Sequence, residues 1–431
     1  MPEVPVPLLE PTTTKEKEYK EILAVMNLAH EIRLRPTRTQ EAYFRRACGV
    51  ARFTYNWALE EWKRQHEAGD KPSGIALKRE FNAIRRSKYP WTYEVHKDCT
   101  ARPFANVQTA FNNFFRRVKA GASKDEIGFP KYKKRGKCKD SFYVSNDKLK
   151  LSGKTVRLPH LGIVRMREAL RFDDKVMSAT VKRIADGWYL VVQVDVGDYR
   201  RDRTADGQVG VDLGIKASAT LSTGEQFDSP KPLRKALKRL QRVSRQHSRK
   251  KKGSANRRKA TMKLSRLHRR VACVRSDFLH KLTTKLCREN QAIGVEDLAV
   301  GNMVKNHHLA RCIADEGWGE FRRQLEYKVV IYDDEIVVHD RWYPSSKTCF
   351  ACGKKKESLS LAERTYTCEC GWSVDRDVNA ALNCLPWVAR EVTPVEREAL
   401  AAAAVKLLSS KQELSGEHSC SSGRKQRRNH E

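Results

Sequence analysis

No run of apolar residues in this chain is long enough to cross a bilayer. The longest, 399–408, is alanine-rich and broken by Lys406, about half of the roughly 20 residues a spanning helix needs. Residues 1–20 carry acids and prolines but no apolar core of a secretory leader. Membrane partners and export are therefore not expected. Acidic charge is also scarce: 52 Asp+Glu face 85 Lys+Arg, a formal net charge of +33, and no acid at all occurs from 231 to 276. An excess of that size gathers polyanions and speaks of partners rather than of fold; a ribosomal or generally basic protein is the plain alternative. Nor is there a secreted disulfide framework. Twelve cysteines in so long and basic a chain do not form one, so a reducing, cytoplasmic compartment is expected. With 40% hydrophobic residues over 431 positions, ordinary cores and two to four domains are expected.

Residues 1–24 read as a disordered extension. Leu28, His30, Ile32 and Leu34 alternate as in a strand that Pro36 ends. Thr37 and Thr39 offer caps to a helix carrying Ala47, Ala51, Phe53, Trp57 and Trp62, and a second helix carries Phe104, Val107, Phe111, Phe114 and Val118. Then come Lys131, Tyr132, Lys133, Lys134 and Arg135, where an aromatic interleaved with cations suits contact with bases and phosphates; a surface loop merely anchored by its ring is the plain alternative. A hairpin is expected over 176–196, turning at Asp186-Gly187. In the acid-free stretch, Leu233, Leu237 and Leu240 mark one helix. Leu264, Leu267, Val271, Val274, Phe278 and Leu282 mark another, with Arg249, Lys250, Lys251 and Lys252 in the loop between. Two helices with apolar seams and basic outer faces make a phosphate-binding arm. Residues 391–431 read as a disordered tail.

Three carboxylates stand at suggestive places. Val209-Gly210-Val211-Asp212 and Ala292-Ile293-Gly294-Val295-Glu296 are short apolar strands that end on an acid, and glycines around the first leave room for close approach. Asp375-Arg376-Asp377 precedes an amphipathic helix for which Asp377 is the expected N-cap. Two-metal phosphodiester hydrolysis needs converging carboxylates, and Mg²⁺ takes such oxygen ligands; a lone acid at a strand end is more often a turn residue. Between the second and third acids, Cys349 and Cys352, then Cys368 and Cys370, form two close pairs, each followed by glycine. Four thiolates in two knuckles suit a structural Zn²⁺, with a redox dithiol as the alternative.

The ordered motifs VGVDLG, GVEDL, PSSKTCFACG, TCECG and DRDVNAALN resemble the TnpB family, transposon-encoded nucleases related to type V CRISPR effectors. Residues 128–130 and 317–328 look like that family too, and the resemblance covers about 25–390. It implies a multidomain α/β fold: an RNase H-like (RuvC) nuclease domain split by a zinc ribbon, a β-barrel wedge domain and a helical recognition domain. By position these are 25–36 and 126–205 (wedge), 37–125 (recognition), 206–344 with the arm at 230–290, and 372–390 (nuclease), and 345–371 (ribbon). It implies Asp212, Glu296 and Asp377 as catalytic ligands of two Mg²⁺ ions (or Mn²⁺), and the four cysteines as ligands of one Zn²⁺. Expected partners are a guide RNA from the transposon end and target double-stranded DNA beside a short flanking motif. The protein is expected to act as a monomer on its RNA, near the nucleoid of a bacterium or archaeon. A nuclease-inactive RNA-guided repressor and a DNA transposase are the alternatives.

Overall fold

The computed structural model describes residues 27–123, 127–185, 187–360 and 362–386. The expected extension (1–24), the tail (391–431) and the turn residue Asp186 lie outside them. The chain divides into two compact units, Met1–Tyr199 and Arg200–Glu431.

In the first unit, β1 (Asn27–Arg35) is followed by α1 (Arg38–Glu67), α2 (Gly74–Lys88) and α3 (Asp98–Lys119). Thr37 caps α1 in a reciprocal capping box with Gln40. Strands β2 (Ser141–Ser145), β3 (Lys150–Ser152), β4 (Thr155–Leu158), β5 (Gly162–Met166), β6 (Lys175–Ile184) and β7 (Gly187–Asp195) then join β1 in a seven-stranded sheet of order β2-β6-β7-β1-β5-β4-β3. The three helices are thus an insertion between the first strand and the other six. Ile184 pairs with Gly187, so the hairpin turns one residue earlier than expected, and Gly187 belongs to the strand.

One helix serves two cores in this unit. The first half of α1 packs Tyr43, Phe44, Ala47 and Cys48 with the inward side chains of the sheet, among them Ile32, Val144, Val164, Val181, Leu190 and Val192. Its second half packs Tyr55, Ala58, Leu59 and Trp62 with Leu77 and Phe81 of α2 and Phe104, Val107 and Phe111 of α3. Thirty residues, about 45 Å at 1.5 Å per residue, give it the reach to do both.

The second unit holds β8 (Gly207–Asp212), β9 (Ala219–Leu221), β10 (Gln226–Phe227), α4 (Pro232–Ser248), α5 (Ala255–Glu289) and β11 (Asn290–Glu296). After these come the short helices α6 (Val300–Met303) and α7 (Ala310–Glu316), then α8 (Trp318–Tyr332) and β12 (Glu335–His339). The hairpin β13 (Thr365–Thr367) with β14 (Ser373–Asp375) and the helix α9 (Arg376–Asn383) complete it. The five-stranded sheet has order β10-β9-β8-β11-β12, with β8, β11 and β12 parallel and β9 antiparallel to both of its neighbours, β8 and β10. Parallel neighbours deliver their C-terminal ends to one edge, so Asp212 and Glu296 end adjacent strands on the same side. Helices α4 and α5 close on Leu240, Leu267 and Val271, with Leu233, Ala236 and Leu264 beside them. Val274, expected in that seam, is exposed.

Candidate functional site

The third acid arrives on α9, and two glycines let it do so. Gly210 of β8 and Gly294 of β11 are cross-strand partners. A Cβ on Gly210 would lie 1.9 Å from the Ala381 carbonyl oxygen, and one on Gly294 would lie 1.7 Å from that of Cys384. Neither contact is physically tolerable, so the last turn of α9 rests on bare backbone. This is the close backbone approach for which the glycines left room. The seated helix turns its first residues, with Asp377, towards the strand ends.

The N-cap of α9 is Asp375, not Asp377: its Oδ1 accepts from the backbone N–H groups of Asp377 (2.9 Å) and Val378 (3.2 Å). The expectation failed because two acids at i and i+2 read alike until the backbone shows which has left the helical conformation: Asp375, at φ −53° and ψ 134°. Asp375 does the capping, and the Asp377 carboxylate in the first turn pairs instead with Arg376, 3.3 Å away. Glu296 accepts a hydrogen bond from Ser345 Oγ and has the Cys384 thiol 4.0 Å away. Asp212 has a pKa pushed up to about 8, first by burial and then by the charges of Glu296 and Asp377, with Arg376 opposing. Three acids from distant segments therefore act on one another, and a proton on Asp212 relieves part of their repulsion.

The four cysteines form a tighter group. Their sulfur atoms all lie within 4.8 Å of one another, with Cys349 and Cys370 3.7 Å apart and Cys352 and Cys368 3.6 Å apart. Tetrahedral Zn²⁺ at about 2.3 Å from each sulfur sets them about 3.8 Å apart, so the group fits that ion. Among the described residues no set of three or more carboxylates and histidines is gathered so closely. The knuckles are joined to α9: Cys349, Phe350, Tyr366 and Trp372 share a core with Val378, Leu382 and Leu385. Buried Asn379 donates to the Thr348 carbonyl (2.8 Å) and accepts from the Phe350 N–H (3.3 Å) and Trp372 Nε1 (3.1 Å). Buried Asn383 donates to the Ser345 and Thr348 carbonyls (2.9 and 2.7 Å).

The basic candidates divide. Arg249, Lys250, Lys251 and Lys252 are exposed at the tip of the α4–α5 hairpin, and Lys131, Lys134 and Arg135 are exposed in their loop. Lys133 is not: its ammonium lies 3.8 Å from the Tyr55 ring centroid, its backbone is held on both sides by Asn56, and burial lowers its pKa. Tyr132 lies under Lys63, 4.7 Å from its Nζ. These two side chains anchor the loop, and its other cations face outward.

Sequence reasoning passed over His339, Ser345 and Trp342. His339, level with Glu296 in the β11–β12 pairing, is buried and donates from Nε2 to the Cys384 carbonyl (2.9 Å). The run Glu335-Ile336-Val337-Val338-His339 carries the strand signal that would have found it. No helix among the described residues is long and apolar enough to cross a membrane.

Comparisons with known proteins bear on these sites. A family model described as "Probable transposase" (OrfB_IS605) matches residues 191–307, and a Cas12f1-like TNB domain model matches 318–384, which spans α8 through α9. A helix-turn-helix model matches 26–71; over the described part the structure has β1 and the unbroken α1 instead. A "Putative RNA-guided DNA endonuclease" of Streptomyces pristinaespiralis is 38% identical over 368 residues, covering 83% of this chain and 88% of the relative. InsQ of Escherichia coli strain K12, described in the same words, is 32% identical over 376 residues, covering 83% and 91%. The cryo-EM structure of a Cas12f1–sgRNA–target DNA complex superposes with a TM-score of 0.50 at 14% identity, covering 81% of this chain and 83% of that one, a likeness of fold.

Proposed function

The chain belongs to the TnpB family, and on that premise we propose that it is an RNA-guided DNA endonuclease that cuts at Asp212, Glu296 and Asp377. The observation that carries the reading is electrostatic. Burial first, and then the charges of Glu296 on β11 and Asp377 on α9, hold the Asp212 carboxyl on β8 up to about 8 in the bare protein, so the three acids feel one another. Such a cluster is costly unless cations occupy it. Its oxygen donors suit two Mg²⁺ ions, or Mn²⁺, which would supply the positive charge that phosphodiester hydrolysis requires. The chain's own part is positional. Ser345 orients the Glu296 carboxylate, Asp375 takes the capping duty so that Asp377 stays available, and the glycine pair sets how far α9 can approach.

In the same reading the five-stranded sheet with α9 is the RNase H-like (RuvC) domain, and the cysteine knuckles are its inserted ribbon around one Zn²⁺. The sheet of the first unit is the wedge barrel, supported by six strands and α1 closing on one core. The helices inserted after β1 are the recognition domain. Guide RNA from the transposon end and double-stranded target DNA are the partners. The protein acts as a monomer on its RNA in the cytoplasm of its host, beside the nucleoid. The exposed cations at 131–135 and 249–252 hold phosphates and read no sequence; base pairing reads the target beside a short flanking motif. A nuclease-inactive repressor would have no use for the intact acid cluster, and a transposase would have none for a guide.

The test uses two guides and two plasmids that share the flanking motif and differ in target. Each guide should direct cutting to its matching plasmid alone. Cutting that ignores the guide, or that proceeds without RNA, would leave a transposase or an unguided nuclease.

A further inference from the structure

The segment 340–344 leaves the sheet at His339, level with Glu296, and comes back to the same carboxylate at Ser345, which donates to it. The segment is therefore a short loop standing over one of the three acids. Almost every residue in it is tied down. Asp340 accepts from the Trp342 N–H through Oδ1 (2.7 Å) and from the Tyr343 N–H through its carbonyl (3.1 Å). Arg341 pairs with Asp297, the neighbour of Glu296. Tyr343 sends its hydroxyl to Asn383 (3.4 Å) and sets its ring beside that of His339, with centroids 6.1 Å apart. Pro344 accepts from Lys347 and Thr348 through its carbonyl. The exception is the indole of Trp342, 85% exposed and the most exposed large apolar side chain among the described residues.

Leaving an indole in water forgoes one of the largest apolar gains a side chain can make. A mobile loop could fold the ring away; this one is braced at its backbone and at both flanking side chains. The loop holds a flat aromatic face out beside the acids that would cut DNA. Exposed rings of this kind take the π-face of an unstacked base, with little regard to which base it is. Arg341, the cation next along, is paired with Asp297, so stacking rather than a free cation is what the loop adds beside the acids.

We propose that Trp342 is a stacking platform for an unpaired nucleobase of the DNA strand at the carboxylate centre, and that it positions that strand for cutting. The proposal rests on the nuclease reading above. Duplex DNA keeps its base faces covered, so the ligand is single-stranded DNA. The contact is by shape and π-surface, which predicts a requirement for an aromatic ring at 342 and indifference to base identity.

Trp342→Ala, Trp342→Leu and Trp342→Phe are compared with the parent chain, all loaded with guide RNA. In an Asp212→Ala background, which removes cleavage from every sample, binding of a short single-stranded oligonucleotide carrying 2-aminopurine is followed by its fluorescence. Stacking on Trp342 should quench the probe, and the alanine and leucine variants should lose the quench and bind about tenfold or more weakly. Phenylalanine should recover most of both, and melting temperature and guide-RNA affinity should stay unchanged. With Asp212 restored, KM for single-stranded DNA should rise by a like factor in the alanine variant. Equal binding by the alanine variant, or full recovery by leucine, would overturn the proposal, the latter because it would show an apolar contact rather than stacking. The fluorescence arm does not depend on cleavage, so a chain that fails the two-plasmid test can still reveal whether Trp342 stacks a base.

Discussion

The cysteine group and the carboxylate group share one helix and are built on opposite plans. The cysteines come from neighbouring knuckles between 349 and 370, and their sulfurs already lie at metal-binding separation. The acids come from two strands and a helix far apart in the chain, and they lie less tightly together, with a proton favoured on one of them. A site that exists to hold a fold can be local and complete. On the reading proposed above, the acids do chemistry on a bound phosphate, and such a site has to stay open until its cations and substrate arrive. Helix α9 joins the two: Asn379 and Asn383 fasten it to the knuckles, and its first turn carries Asp377.

The largest effect should come from the acids themselves. Asp212→Ala, Glu296→Ala and Asp377→Ala should each lower guided cleavage by roughly 10³-fold, the worth of several kcal/mol of charge stabilisation. Guide and target binding should stay near normal. Asp375→Ala should lose about 1 kcal/mol of helix capping and keep most activity. Equal damage from Asp375 would mean that the third acid is misassigned. Next, the purified protein should hold one Zn²⁺ per chain by elemental analysis. Cys349→Ser or Cys368→Ser should lose it, lower the melting temperature and take cleavage down as well, because ribbon and α9 share a core. Full cleavage by zinc-free protein would separate the two sites.

Gly210→Ala and Gly294→Ala should spare zinc and weaken cleavage, since the new methyl pushes α9 off the strands. Overpacking of this kind costs about 1–3 kcal/mol or more, whereas Gly301→Ala, at an exposed position with open space around it, should leave both zinc content and cleavage unchanged. A smaller effect is expected with pH. Because the metal-free fold holds the Asp212 proton up to about 8, divalent cations must displace it at neutral pH. Their affinity should rise up to about tenfold per unit towards that value, with proton release detectable by calorimetry in buffers of different ionisation heat. This group's own contribution to the stability of the metal-free protein is present below about pH 4 and lost as pH climbs to about 8. Flat affinity from pH 6 to 8 would mean that Asp212 is already ionised. The smallest effect belongs to the arm: replacing Lys250, Lys251 and Lys252 by Ala should weaken RNA binding a few-fold for every guide. It should also reduce the salt slope by about 2, counting roughly 0.7 per phosphate contact.

Much of the site was legible in the sequence because its signals are local. A strand that ends on an acid and paired cysteines followed by glycine declare themselves within ten residues or so, and the run of cations without acids is continuous from 231 to 276. The parts that were missed depend on partners far along the chain. Asp375 and Asp377 are equivalent as letters and differ only in backbone conformation. Room for close approach beside Asp212 is readable at Gly210, but that α9 fills it, and that Gly294 shares the task, exists only after β8 and β11 pair. Lys133 looked like its neighbours until Tyr55 and Asn56 of α1 were found to hold it. The seam of α5 was read one position too generously at Val274, since helical spacing marks a face without saying how far along the helix the partner extends.

The seating of α9 on the glycine pair also orders events during synthesis. The strands carrying Asp212 and Glu296, and the basic hairpin between them, leave the ribosome before the helix that completes the acid set. A chain stalled or clipped between 300 and 370 has already acquired its cations and has no third acid. On the reading proposed above, such a fragment lacks the acid that completes the set and cannot cut. A host would thus be spared breaks from unfinished copies, through nothing more than the position of one aspartate in the reading frame.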